Sequence, residues 1–202
     1  LHQAGESIPG GVEPDRMFRR CTDNVVADKV KKRSLDVGAD HIARTAHAAL
    51  ALLEDLRKRT DQDIPLAWKP KAVSGICAIE VYPAATLRVH GLPDTGYKKK
   101  EHDQERRYIL NQLTKKGIQL SSESRRMCMV HVDALDAVIC VLAGVDFLQG
   151  EAVAPRDDQL EAAKKEGWIW VRDPGRYRET AAGSLSGSGA TSSLSTIGIR
   201  PW

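Results

Sequence analysis

The chain has 202 residues, 42% of them hydrophobic and 28% charged, with a net charge of +3. That is enough apolar material for one globular domain of ordinary size, and the small net charge neither demands nor excludes a nucleic acid partner, so local clusters matter more than the sum. An aromatic content of 5% argues against an extended base-stacking platform, and no apolar run approaches the roughly 20 residues of a membrane span.

Residues 1–14 contain several Gly and Pro and read as a loop without a basic-then-apolar signal pattern. The chain begins at Leu rather than Met, so a fragment or processed piece is expected. "TDNVVADKVKK" reads as a short helix with Thr22 or Asp23 as N-cap. In "ADHIARTAHAALALLEDLRKR" the apolar residues Ile42, Ala46, Ala49, Leu50, Leu53 and Leu56 recur at helical spacing. Arg57, Lys58 and Arg59 close that helix with the sign its dipole prefers.

A loop leads to "GICAIEVYP", which reads as a buried strand at 75–82 ended by Pro83. "PAATLRVH" is then a helix stopped by Gly91. The basic loop "YKKKEHDQERR" runs into a helix that stops near Gly117. "RRMCMVHV" reads as a short strand or extended lead-in. "DALDAVICVLAGVDFL" is helical, with Leu135, Val138, Ile139, Leu142 and Val145 as its stripe. "DDQLEAAKKEG" is a helix stopped by Gly167, and "WIWV" is a short strand. Residues 173–202, with "AAGSLSGSGATSSLST", cannot bury a core and are expected to be a disordered tail.

The pattern is α/β, with about five helices on only two or three strands, a thin sheet for so many amphipathic helices. Further strands are expected on the N-terminal side. The four cysteines (Cys21, Cys77, Cys128, Cys140) show no C-x-x-C or metal-ligand spacing and read as reduced thiols of a cytoplasmic protein.

Four features can carry chemistry. Glu80 would share a strand face with Ile76 and Ala78, and an unpaired buried carboxylate costs several kcal/mol. It therefore needs a cationic partner, water at the strand end, or a metal ion. Asp133 and Asp136 in "DALDA" stand at i, i+3 in a first helical turn. The bland reading is an N-cap and a dipole partner. The sharper one is an oxygen-ligand cage with Glu80 for Mg²⁺ or Mn²⁺, of the kind that serves phosphodiester hydrolysis. The basic residues Lys98, Lys99, Lys100, Arg106 and Arg107, and earlier Arg16, Arg19 and Arg20, form either solvated faces or a phosphate-tracking surface. His131 lies next to the acidic pair and reads as structural. No nucleophile elbow, P-loop or dinucleotide glycine motif is present.

In order and spacing, "IEVYPAATLRVHGL", "YKKKEHDQERRYILNQL", "DALDAVICVLAG" and "EGWIWV" resemble the domain of unknown function 429 family, over roughly residues 15–172. Members of that family are described as RNase H-like nucleases. The resemblance implies an RNase H-like mixed sheet flanked by helices, incomplete at the N-terminus. The family's opening Gly-Ile-Asp-Gly-like strand and its later Ile-Asp-x-Pro strand have no counterpart here. Residues 1–14 would be a truncated start, 15–172 the domain, and 173–202 a tail.

Carried over by position, Glu80, Asp133 and Asp136 would be the catalytic acids and ligands of Mg²⁺ or Mn²⁺. Lys98, Arg106, Arg107 and Arg20 would contact the nucleic acid backbone. The expected activity is metal-dependent phosphodiester hydrolysis. The alternative is a non-catalytic binding or scaffold protein, or an inactive fragment. A phosphotransferase on a related fold would need Gly-rich phosphate loops that the chain lacks.

Overall fold

The computed structural model describes residues 19–34, 40–70, 73, 75–99 and 101–175. The N-terminal loop, Arg16, Lys100 and most of the Ser/Gly-rich tail lie outside these. Seven helices occur among the described residues: α1 (Cys21–Val30), α2 (Asp40–Thr60), α3 (Pro83–Val89), α4 (Asp103–Lys115), α5 (Ser122–Val130), α6 (Val132–Gln149) and α7 (Asp157–Glu166).

The expected α/β architecture, an RNase H-like mixed sheet, is absent among the described residues. Among the described residues, β structure is limited to three isolated bridges: Leu66 with Ala78 and Glu80 with Ile169 (parallel), and Ala152 with Arg172 (antiparallel). The reason lies in the backbone partners. Ala78 exchanges bonds with Pro65 O (2.8 Å) and Ala67 N (2.9 Å), and Pro65 has no N–H with which to extend a ladder. The Ile169 N–H is taken by Thr22 Oγ1 at 2.8 Å. "GICAIEVYP" is therefore an extended segment with single bridges, turned at once into α3 by Pro83 at its first turn. "WIWV" is likewise bridged, not laddered.

"RRMCMVHV" is also corrected, because most of it is helix α5. Ser121 is its N-cap, its Oγ accepting from Ser124 N at 3.0 Å, and this local bond outweighs the short apolar run. At α1 the cap is Arg20, not Thr22 or Asp23. Asp23 at N3 accepts from Arg20 N at 3.0 Å, satisfying an amide at the helix start.

The chain forms two compact units. One comprises Leu1–Lys69, Val73–Glu80 and Ala154–Ile169. In it α1 packs on α7, and Val26, Val30, Ile64, Ala163, Trp168 and Ile169 are buried. The predicted apolar stripe of α2 forms no such core: Ala46 and Ala49 are exposed, Leu50 is 62% and Leu56 38% exposed, and Leu53 is half-buried.

The other unit comprises Pro70–Ala72, Val81–Val153 and Trp170–Trp202. Here α6 packs against α3, α4 and α5. Leu135, Ile139 and Leu142 of the expected α6 stripe are buried, together with Leu87, Ile109, Leu110 and Leu113. Phe147 meets Trp170 edge-on with ring centroids 4.7 Å apart, a favoured aromatic arrangement. No single helix among the described residues is long and apolar enough to cross a membrane.

Candidate functional site

Glu80 lies in the first unit, in the extended segment before α3. Both its oxygens are held by one guanidinium: Arg20 Nη2 is 2.7 Å from Oε1, and Arg20 Nη1 donates to Oε2 at 3.0 Å. Such a planar fork suits a carboxylate in geometry as well as charge. The same Arg20 donates through Nε to Asp23 Oδ2 (3.2 Å) and through Nη1 to Glu166 O (3.2 Å). Burial pulls the Arg20 pKa down, but the bonds to Glu80 and Asp23 outweigh it and hold the guanidinium firmly protonated. Of the three explanations for a carboxylate in "GICAIEVYP", the structure provides the cationic partner.

Asp133 and Asp136 lie in the second unit, in the first turns of α6. Asp133 is exposed and is not the cap; His131 closes α5 and opens α6. Asp136 is half-buried and fully engaged. Tyr97 Oη donates to its Oδ1 at 2.8 Å, and Lys98 Nζ donates to its Oδ2 at 2.6 Å. The Lys98 ammonium also stands 5.7 Å from the Tyr97 ring centroid, within cation–π range. Burial raises the Tyr97 pKa strongly, and the charge and hydrogen bond of Asp136 raise it further.

That shift has a testable sign. A phenol harder to ionise folded than unfolded stabilises the fold fully below the unfolded pKa of about 10, and this stability is lost as pH rises beyond it. Absorbance at 295 nm should show Tyr97 resisting ionisation until the alkaline unfolding transition, and Tyr97→Phe should remove one late-titrating phenol. If every tyrosine titrates near its ordinary value while the chain remains folded, the pairing is wrong.

The basic residues divide. Lys98 and Arg107 are exposed. Arg106 is buried and donates to Tyr97 O (2.9 Å) and Lys99 O (2.6 Å), and it pairs with Asp103. It therefore props the loop that carries Tyr97 and Lys98. Arg20 is the clasp on Glu80. His131 is exposed.

Sequence reasoning missed a buried charge cluster. Asp146 is 1% exposed, accepting from Arg172 Nη1 at 3.2 Å and lying 2.8 Å from His90 Nε2. Arg172 also reaches Glu151 at 2.8 Å. The signal was readable, since Asp146 continues the stripe of Leu135, Ile139 and Leu142 by one more step of four.

Among the described residues, no group of three or more His, Cys, Asp or Glu side chains is arranged to hold a metal ion. Glu80, with both oxygens on Arg20, does not fit a metal ligand. Asp136 likewise has both oxygens engaged, by Tyr97 and Lys98, so a cation there would have to displace the Lys98 ammonium, and Asp133 is an exposed carboxylate one turn earlier on the same helix.

No curated protein and no solved structure matches the chain. Residues 7–160 match the family described as "Protein of unknown function (DUF429)". That match takes in both acidic segments and most of the described helices, and the chain belongs to the DUF429 family.

Proposed function

We propose that the chain serves as a metal-dependent nuclease, hydrolysing phosphodiester bonds at the start of α6. The observation that carries this reading is Asp136, oriented by a buried phenol on one oxygen and met by an exposed lysine on the other, with Asp133 exposed on the same helix face. Mg²⁺ or Mn²⁺ held by Asp133 and Asp136 would activate water and neutralise charge on the leaving oxygen. Tyr97 fixes the Asp136 carboxylate, and Arg106 holds the Tyr97 loop from beneath. Lys98 and Arg107 present exposed cations that can contact backbone phosphates. The four thiols are free, which fits a reducing cytoplasmic setting.

The test is magnesium calorimetry on the whole chain, paired with cleavage of labelled single- and double-stranded nucleic acid. Binding should occur at millimolar affinity or better, and Asp136→Asn should weaken it by about tenfold, the equivalent of 1.4 kcal/mol. No binding, or binding unchanged in Asp136→Asn, overturns it. A second reading, a non-catalytic binding protein, is favoured by the Arg20 fork on Glu80 and the two donors on Asp136. It fails if the chain cleaves nucleic acid and Asp133→Asn abolishes cleavage.

A further inference from the structure

Helix α2 is long and amphipathic, and over residues 44–60 most of its side chains are exposed. Its exposed residues include Thr45, Ala49, Leu52 and Leu56. These four recur at spacings of four, three and four, the seam of an antiparallel or parallel helix pair. Leu53 and Arg57, on the adjoining side, are half-buried, and Arg57 donates to Ile64 O at 2.5 Å, so the chain's own loop covers that side and stops short of the seam.

We infer that this seam is a docking surface for the α2 helix of a second copy of the chain, related by a two-fold axis and antiparallel. Three features select this occupant. The first is size. Antiparallel pairing sets Ala49 opposite the partner's Leu52, and Thr45 opposite the partner's Leu56. Each large side chain then meets a small one, as interdigitation requires. Parallel pairing stacks Ala49 on Ala49 and Leu52 on Leu52, leaving gaps at one layer and crowding at the next.

The second is charge. The polar face is satisfied within the helix, with Lys58 3.3 Å from Glu54 and Arg59 2.9 Å from Asp55. A partner of opposite charge has little to pair with, while antiparallel helix dipoles attract.

The third is area. A 21-residue helix is about 32 Å long and buries on the order of 500 Å² per copy, close to the total of about 1,000 Å² expected of a weak specific interface.

Sedimentation equilibrium of the full chain tests this directly. The weight-average mass should rise towards twice the monomer value as concentration increases to the order of 100 µM, the weak end of specific association. Leu52→Glu together with Leu56→Glu should restore the monomer with its far-UV circular dichroism unchanged, because both side chains are exposed. Ala49→Leu distinguishes orientation: it should weaken an antiparallel dimer about tenfold or more, whereas it would strengthen a parallel one.

A chain monomeric at every concentration overturns the inference. So does a dimer unaffected by the Glu pair or strengthened by Ala49→Leu, or a monomer that co-sediments with anionic phosphatidylserine vesicles. None of these readouts depends on metal or nuclease activity.

Discussion

Asp146→Ala is expected to cost the second unit about 3–5 kcal/mol, because removing one member of a buried charge cluster leaves the others uncompensated. Asp146 is almost wholly enclosed, and its two oxygens face the His90 ring and the Arg172 guanidinium. The cluster joins the last turns of α6 to α3 and to the segment bridged between Ala152 and Arg172. Without the carboxylate, His90 loses its Asp146 partner at a nearly fully buried position, and Arg172 loses one of its two acidic partners and keeps Glu151. Asp146→Asn preserves shape and one acceptor and should fall between wild type and alanine. Urea unfolding followed by far-UV circular dichroism measures the difference. A loss below about 1 kcal/mol, within the range of exposed ion pairs, would show that the cluster contributes no more than a surface one.

Gly167→Ala should destabilise the first unit by about 1–3 kcal/mol through backbone strain. Gly167 ends α7 at φ 90° and ψ 167°, a region that residues with a Cβ scarcely populate. A Cβ there would also lie 2.7 Å from Glu80 Oε2 and 3.2 Å from Arg20 Nη1. Glu80 is flexible enough to retreat, but only by giving up the fork with Arg20. The two contributions separate in a double-mutant cycle. In a Glu80→Ala background the closer of the two contacts is removed and the backbone part remains, so the two losses should be non-additive by more than the ~0.3–0.5 kcal/mol seen for independent sites. Additive losses would mean that Glu80 is not what makes glycine necessary there.

Helix positions were legible because their signals are local. Pro83 opens α3, Gly167 stops α7, and the four-three spacing along α6 picks out residues that the fold does bury. Strand formation was not legible, since a strand exists only with a partner. "GICAIEVYP" has the residues of a buried strand, yet Pro65 and the engaged Ile169 amide prevent its ladder from extending. The α5 segment shows the converse: a serine cap decides between helix and strand where the apolar pattern does not.

Partner identity was equally hidden. Glu80 and Arg20 are 60 positions apart, and nothing local in either segment names the other. Periodicity on α2 correctly gave a helix, but amphipathicity says only that a face is apolar, not that something covers it. At the candidate site, the i, i+3 relation of Asp133 and Asp136 was visible. Tyr97 was not, because its role depends on a loop that Arg106 fastens from within.

The segment "WIWV" also determines how the molecule can be observed. Trp168 is buried in the first unit, and Trp170, two residues on, is buried in the second against Phe147. Intrinsic fluorescence therefore sums these two blue-shifted emitters, each enclosed by a different body of protein, with the half-buried Trp68 and with Trp202. A single unfolding curve from that signal is an average. Replacing three of the four indoles by phenylalanine, so that Trp168 or Trp170 alone remains, gives separate gauges, one for each unit.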